Sequence, residues 1–273
     1  MPRPVVQGFV GFDTGIYPGD AVMRAWLRPN SPYHWAGYYL PAPCHRDASW
    51  AGKRDALAAM GWGIAVLYVG QQTWEGVADR AIVPDTTPPA ADTLRAVSAA
   101  RTITCSRTLL GTAQGTTEAD DAIAKVAGDG FARGTHIFLD VERMTTIPQS
   151  MRDYYRAWVA RVLADGRFRP AIYAHQRNVA EIYADVRAVF DAAGVRDEPS
   201  FWVSSPSTSF TLSSVPADAG FRFARVWQGV LDTSQTWNAV ALRVDVNVAD
   251  SPSPSAPGPV VANASQTAPA RAP

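Results

Sequence analysis

Short apolar runs alternate along this chain with stretches in which apolar residues recur at helical spacing. A continuous apolar run such as GIAVLYV at 63–69 is typical of a strand buried on both faces of a parallel sheet. Runs of this kind are found at 5–13, 35–40, 63–69, 136–142, 169–175 and 201–205. The pattern therefore predicts an α/β fold in which strands and helices alternate.

The helices between these strands are predicted from capping residues at their starts and from glycines at their ends. Predicted helices begin at Asp20, Ser49, Thr117 and Pro148 and end near Leu27, Gly61, Ala132 and Gly166, and a fifth carries the stripe Ile182, Val186, Val189 and Phe190 and ends at Gly194. The helix after Pro148 has the most regular apolar stripe. The stretch 70–115 is the least regular, with a short element predicted around 101–110.

The pattern changes after residue 205. Apolar runs at 224–230 and 241–248 are joined by only about ten residues, too few for a helical crossover, and they predict an antiparallel pair. The sequence thus predicts one domain over 1–250, a TIM-like barrel of five βα units followed by three strands. Residues 251–273 are rich in Pro, Ala and Ser and predict a disordered tail.

The composition argues against several kinds of partner. The chain has 273 residues with 25 basic and 25 acidic side chains and no dense basic cluster. No apolar run approaches the roughly 20 residues of a membrane helix. We therefore expect a neutral ligand and a monomer, without a nucleic-acid partner or membrane insertion. The start lacks the apolar segment of a signal peptide. Cys44 and Cys105 lack CxxC spacing, and the sequence is compatible with a disulfide between them or with two buried thiols.

The run HIFLDVE at 136–142 places two acids at the end of an apolar strand. Asp140 and Glu142 are two residues apart, so their side chains share one face of the strand. Asp13 ends the first predicted strand and Asp245 lies in the last, so all four acids are expected at the rim where barrel active sites lie. Crowded, partly buried carboxyl groups hold their protons to higher pH, as general acid catalysis requires. Alternatively, Asp13 caps the turn at Thr14 and Asp245 accepts hydrogen bonds from loop amides.

Aromatic and amide side chains near the strand ends are candidates for sugar binding, because aromatic faces stack on sugars and amides bond to hydroxyl groups. These candidates are Tyr38, Gln72, Tyr173, Trp202, Trp227 and Gln228. Packing in the core is the alternative for each aromatic residue. The histidines, at positions 34, 45, 136 and 175, have no metal-ligand spacing, and we predict no metal and no cofactor.

Several segments carry a resemblance to known families. The order GFDTG, DVE, IYAH, VWQGV and VDVN resembles the lysozyme-type family 25 glycoside hydrolases, which cleave the sugar chains of peptidoglycan and have five βα units followed by three strands. The segments GFDTGIYPGD, WAGYYLPAPCH, GWGIAVLYVGQQ and HIFLDVE more closely resemble the actinobacterial glycoside-hydrolase-like domain family, which is related to family 25. The resemblance spans about 7–250. It implies that Asp13, Asp140, Glu142 and Asp245 form an acidic pocket in which Glu142 is the proton donor.

Three functions are compatible with these residues. The leading hypothesis is a glycosidase with Glu142 as general acid, acting on cell-wall polysaccharide, with peptidoglycan as the expected substrate. A cell-wall substrate would favour a secreted or cell-wall-associated protein, whereas the start lacks the segment of a signal peptide, so the localisation is left open. The second is a non-catalytic carbohydrate-binding protein on the same barrel, which a pocket covered by the 70–115 insertion would favour. The third is an intracellular structural protein in which arginines such as Arg143 or Arg169 neutralise the acids.

Overall fold

The computed structural model describes residues 8–27, 29, 31–74 and 105–257, and these form a closed barrel of eight strands. The strands follow one another around the barrel in chain order: β1 (Phe9–Asp13), β2 (Trp35–Tyr39), β3 (Gly63–Tyr68), β4 (His136–Val141), β5 (Arg169–His175), β6 (Ser200–Ser204), β7 (Ala224–Trp237) and β8 (Val240–Ala249). Each strand from β1 to β6 is parallel to the strand that follows it. The predicted α/β barrel is confirmed.

Helices connect the strands and pack against the outside of the barrel. They are α1 (Asp20–Ala25), α2 (Arg54–Met60), α3 (Thr112–Gly128), α4 (Gln149–Asp165) and α5 (Val179–Ala192), with 3-10 turns at Arg107–Leu109 and Pro216–Ala219. Gly61 and Gly166 end α2 and α4 in the left-handed conformation, at φ 91° and 71°, as predicted. The outer core fills the space between these helices and the sheet.

Two predicted helix starts are wrong. Ser49 does not cap α2, which begins at Arg54; its hydroxyl accepts a hydrogen bond from the Tyr17 amide at 2.8 Å instead. Thr117 lies inside α3, where its hydroxyl donates to the carbonyl of Ala113 at 3.0 Å. A threonine can satisfy its hydroxyl within a helix in this way, so a capping pattern alone does not locate the start.

The last two strands form the predicted antiparallel pair, and β8 is also antiparallel to β1. They are longer than predicted, because β7 continues to Trp237 and a turn at Asn238 and Ala239 leads directly into β8. Both turn residues have positive φ, 49° and 63°, as the tightest hairpin turns require. The predicted ten-residue connection is therefore largely strand.

A second, smaller core fills the interior of the barrel. It consists of Trp35, Ala65, Leu67, Phe138, Ala171, Trp202, Val226 and Ala249, all buried. The rings of Trp35 and Trp202 meet edge to face at 5.4 Å. Gly11 leaves room for Trp35, since a Cβ there would lie 2.1 Å from the indole ring. This apolar layer closes the barrel interior below the carboxyl ends of the strands.

Part of the predicted tail packs against the barrel. Residues 251–257 cross the amino-terminal end of β3, where the hydroxyl oxygens of Ser253 and Ser255 accept hydrogen bonds from the amides of Ile64 and Val66, at 3.1 Å and 2.7 Å. The Ser255 carbonyl in turn accepts from the His136 amide at 2.9 Å. The prediction of disorder is thus wrong for 251–257, because serines can pack through backbone hydrogen bonds with little apolar burial. Residues 258–273 lie outside the described residues.

Cys44 and Cys105 form a disulfide, which decides between the two alternatives that the sequence left open. The amide of Cys44, beyond β2, donates to the carbonyl of Val69 at 3.1 Å. Most of the irregular stretch 70–115, namely 75–104, lies outside the described residues. Among the helices that are described, none is long and apolar enough to cross a membrane.

Candidate functional site

The structure brings the four predicted acids to one end of the barrel. Asp13 is the last residue of β1, Asp140 lies near the end of β4, and Glu142 follows that strand directly. Because β8 is antiparallel, Asp245 returns to the same rim and is the direct register partner of Asp13. The amide of Gln228 links these two carboxylates, donating to Asp13 at 3.1 Å and to Asp245 at 3.0 Å.

Asp13 lies at the centre of a buried hydrogen-bond network. Its Oδ1 accepts from the hydroxyl of Tyr39 at 2.7 Å, and its Oδ2 accepts from the amides of Gln228 and Asn247, at 3.1 Å and 2.8 Å. The side chain is 4% exposed. Burial, followed by the charge of Asp245, raises the pKa of Asp13 from 3.8 to about 7, and the three hydrogen bonds oppose that rise. Asp13 can therefore exchange a proton near neutral pH.

Asp140 is also buried, with 7% of its surface exposed. Its Oδ1 has no hydrogen-bond partner among the described residues. Burial raises the pKa of Asp140 well above its ordinary value, and the charges of Glu142 and Asp13 raise it further. An unpartnered carboxyl oxygen in such a place is costly unless water or a ligand satisfies it, so it marks a point for interaction.

Glu142, directly after β4, lies further out than Asp140 and is partly buried. Burial raises the pKa of Glu142 above its ordinary value; the backbone amide of Arg143 opposes the rise and the charge of Asp245 adds to it. Arg169 lies within 3.7 Å of Asp197 instead, at the amino-terminal end of β5. Among the described residues, no arginine forms an ion pair with Asp140 or Glu142, so the neutralised arrangement is not seen there.

Asp245 belongs to the cluster and also binds a loop amide. Its Oδ1 accepts a hydrogen bond from the backbone amide of Asp232 at 2.6 Å. The pairing of β7 with β8 shifts register near Asp232, and Asp232 has a positive φ of 54°. This local backbone geometry directs the Asp232 amide toward Asp245. Burial is the main cause that raises the pKa of Asp245. The expected contact with an amide and the expected place among the acids are therefore both found.

A cavity of about 200 Å³ opens on one side of the cluster. It is lined by Asp13, Thr14, Gly15, Tyr39, Asp232, Arg243, Val244 and Asp245. Asp140 and Glu142 are not part of its lining. The cavity is polar and acidic, and Arg243, the one basic side chain among the described residues that line it, is paired with Asp232. Such a lining suits a ligand rich in hydroxyl groups.

Four of the six predicted binding residues lie at or just below this rim. The hydroxyl of Tyr173 donates to Gln228 at 2.7 Å. Gln72 reaches the backbone of β4, where its Nε2 donates to the Asp140 carbonyl at 2.9 Å. Trp202 lies deeper, in the interior core, and its indole nitrogen donates to Asn247 at 3.0 Å. Trp202 thus supports the cluster from below.

Tyr38 and Trp227 do not face the cluster, which corrects the prediction for both. The hydroxyl of Tyr38 donates to Asp129 at 2.6 Å outside the barrel. The indole nitrogen of Trp227 donates to the Ser205 carbonyl at 2.8 Å, and its ring packs against Phe210. Successive side chains of a strand point to opposite faces, so their neighbours Tyr39 and Gln228 point inward instead.

Sequence reasoning missed Tyr39 and Asn247, both of which bind Asp13. Asn247 lies two residues after Asp245 in β8, so their shared face could have been inferred from the strand period. Gly37 marks the inward face of β2, because a Cβ at position 37 would lie 2.6 Å from the Cβ of Asp13. Tyr39, two residues later, lies on the same face. Within the described residues, no group of His, Cys, Asp and Glu side chains has the arrangement of a metal site.

The chain is similar to a known protein family and to several solved structures. Residues 24–249 match the family described as Rv2525c-like, glycoside hydrolase-like domain. The chain belongs to this family. Among solved structures, an uncharacterized protein of B. stearothermophilus is similar with a TM-score of 0.58 and 16% identity, covering 89% of this chain and 96% of that one. A family 25 glycosyl hydrolase from Bacillus anthracis has a TM-score of 0.51 and 14% identity, with 91% of each chain covered.

A third solved structure is the modular autolysin LytC from Streptococcus pneumoniae, in complex with a synthetic peptidoglycan ligand. It has a TM-score of 0.53 and 10% identity, and the match covers 88% of this chain and 46% of LytC. No curated protein matches this sequence significantly. At these identities the solved structures establish the shared barrel fold.

Proposed function

We propose that this chain is a glycoside hydrolase that acts on cell-wall polysaccharide, with peptidoglycan as the substrate. The observation that carries the proposal is the cluster of four acids at one rim of the barrel, each with a raised pKa. Cleavage of a glycosidic bond needs a carboxyl group that is still protonated at the working pH, and a second one that is ionised.

In this proposal Glu142 protonates the leaving oxygen, because it is less buried than Asp140 and its pKa is raised mainly by burial. Asp140, whose Oδ1 has no hydrogen-bond partner among the residues that the structure describes, stabilises positive charge on the sugar or orients water. Asp13 and Asp245 assist it in that task. Tyr173, which donates to Gln228, supplies an aromatic face at the same rim.

The choice of peptidoglycan rests on likeness. The family is glycoside hydrolase-like, and LytC, which shares the fold, is known in complex with a peptidoglycan ligand. A helix follows each of the first five strands, and three further strands close the barrel. This order of elements supports the arrangement of five βα units and three strands that the family 25 resemblance implies. A neutral net charge suits a neutral glycan.

The test is digestion of purified peptidoglycan and of chitooligosaccharides between about pH 4 and 8, with reducing ends as the readout. We expect release from peptidoglycan by the unaltered protein and faster release toward acidic pH, where Glu142 keeps its proton. Absence of release from both glycans over this range contradicts the proposed activity.

A carbohydrate-binding protein without turnover is the second candidate. It is favoured by one observation: both oxygens of Asp13 and of Asp245 already accept hydrogen bonds from the protein. Carboxylates whose oxygens already accept hydrogen bonds from the protein are better suited to holding a rigid pocket than to reacting. Calorimetry separates the two functions, since a binder gives saturable heat with peptidoglycan fragments and forms no product.

A further inference from the structure

Two consecutive glutamines follow β3, and their side chains have different partners. Gln72 is 1% exposed and binds the backbone on both sides of Val141. Its Nε2 donates to the Asp140 carbonyl at 2.9 Å, and its Oε1 accepts from the Glu142 amide at 3.2 Å. We propose that Gln72 is a positioning residue that fixes Glu142 relative to Asp140, rather than a residue that binds the sugar.

The pairing of strands explains why such a residue is needed. The ladder between β3 and β4 ends at the pair Tyr68 and Leu139. Beyond it, the amide and carbonyl groups of β4 that face β3 have no strand partner. The side chain of Gln72 takes the place of that partner, because a primary amide combines N–H donors with a carbonyl acceptor, as a backbone peptide does with its single N–H and carbonyl. The segment that carries the two acids is thereby held against the barrel.

Gln71 anchors this arrangement to helix α3. Its backbone amide donates to Glu118 at 3.2 Å, and its side-chain amide donates to the same carboxylate at 2.8 Å. Glu118 is fully buried, and its carboxylate also accepts from Gln114 at 2.8 Å and from the hydroxyl of Tyr154. A buried carboxyl group with so many donors is a firm attachment point, because releasing any donor leaves a buried polar group without its partner.

Little space remains for Gln72 to move. A Cβ on Gly70 would lie 1.9 Å from the Tyr154 hydroxyl, so the backbone beside the two glutamines is in close contact with α4. The amide of Ser106 donates to the side-chain oxygen of Gln71 at 2.7 Å. Both sides of the Gln71–Gln72 segment are therefore fixed, and Gln72 can transmit that rigidity to the acids. Displacing a reacting group by about 1 Å can cost about 100-fold in rate.

The proposal rests on the proposed hydrolase activity and is tested by two variants. Gln72→Leu keeps the size but removes both hydrogen bonds, and we expect kcat to fall about 10- to 100-fold while KM changes less than about 3-fold. Loss of a sugar contact would raise KM instead. Gln149→Leu, an exposed glutamine at the start of α4, is the control and should leave both constants unchanged.

Gln72→Glu gives a signature that a merely structural role would not produce. A protonated glutamic acid can still donate to the Asp140 carbonyl and accept from the Glu142 amide, whereas an ionised one can only accept. We therefore expect the activity of Gln72→Glu, relative to the unaltered protein, to increase as the pH falls. A ratio that is constant with pH, or a Gln72→Leu protein with kcat within about 2-fold of the original, overturns the proposal.

A measurement without substrate separates this inference from the hydrolase proposal. The Glu142 amide should exchange with solvent at least about 10-fold faster in Gln72→Leu than in the unaltered protein, whereas exchange at Ile137, near the start of β4, should be unchanged. If the protein digests no glycan but the exchange changes in this way, the hydrolase proposal fails and the positioning role stands. Unchanged exchange at Glu142 refutes the positioning role whatever the activity. If Gln72→Leu does not fold, the pH dependence of Gln72→Glu decides.

Discussion

Replacing Asp13 with asparagine tests the electrostatics of the acidic cluster. Burial and the charge of Asp245 raise the pKa of Asp13 from 3.8 to about 7 in the folded protein. The unfolded chain, in which Asp13 is in water, keeps an ordinary aspartate pKa. The folded protein therefore binds this proton more tightly than the unfolded chain does.

The direction of the effect on stability follows from that difference. Below about pH 4 Asp13 is protonated in both states, and its contribution to the free energy of unfolding is fully present. As the pH rises to about 7, the unfolded chain loses the proton first, and the free energy of unfolding decreases. A rise from 3.8 to about 7 is equivalent to about 4 kcal/mol. Above about pH 7 the contribution of Asp13 no longer changes.

The assay is urea unfolding of the original protein and of Asp13→Asn at several values between about pH 4 and 8. The side-chain amide of asparagine lies beside the amide donors of Gln228 and Asn247, which lowers the stability of the variant. This loss of stability is the same at every pH. The difference between the two proteins should therefore change by about 4 kcal/mol across the range, in favour of the variant at high pH. Asp197→Asn, a substitution of an aspartate that is 75% exposed, is the control.

Two results would refute the reasoning. If the difference between the original protein and Asp13→Asn is independent of pH, the pKa of Asp13 is not raised by folding. If the original protein loses stability toward acidic pH by several kcal/mol more than the variant, the hydrogen bonds from Tyr39, Gln228 and Asn247 outweigh burial, and the pKa is lowered instead.

Three further predictions concern the scaffold. Ser255→Ala leaves a buried amide of β3 without its acceptor and should lower the free energy of unfolding by about 1–3 kcal/mol, measured in urea. The double variant Cys44→Ser and Cys105→Ser lacks the disulfide, which joins residues at a sequence separation of 61. Chain entropy predicts that the free energy of unfolding falls by about 4 kcal/mol, which thermal unfolding with and without reductant checks. Gly70→Ala brings a methyl group within 1.9 Å of the Tyr154 hydroxyl and should cost about 1–3 kcal/mol by urea unfolding.

Much of the barrel could be predicted because its strands are short and apolar on both faces. The predicted strand 169–175 has the same bounds as β5. Helix starts were harder to predict, because Gly19 and Gly111 occupy the capping positions of α1 and α3 and have no side chain that could form a cap. Nor does apolar patterning detect the 251–257 segment, because the contacts of Ser255 are hydrogen bonds to strand backbones.

The acids of the site could be predicted because carboxylates at the ends of apolar strands are rare and need a reason. The neighbours of these acids could not all be predicted. Tyr38 and Tyr39 are adjacent and chemically alike, and a shift of one residue in strand register exchanges their faces. Gln72 was found, but its contact with the β4 backbone depends on where the ladder between β3 and β4 ends.

The central claim is that Glu142 acts as a general acid on a glycan, and the rate of reducing-end release from purified peptidoglycan tests it most directly. Glu142→Gln keeps the shape of the side chain but cannot give a proton, whereas Glu181→Gln changes a glutamate that is 60% exposed on α5. We predict that Glu142→Gln lowers the rate of reducing-end release by about 100-fold or more and that Glu181→Gln leaves this rate unchanged. Equal rates for the two variants would contradict the account.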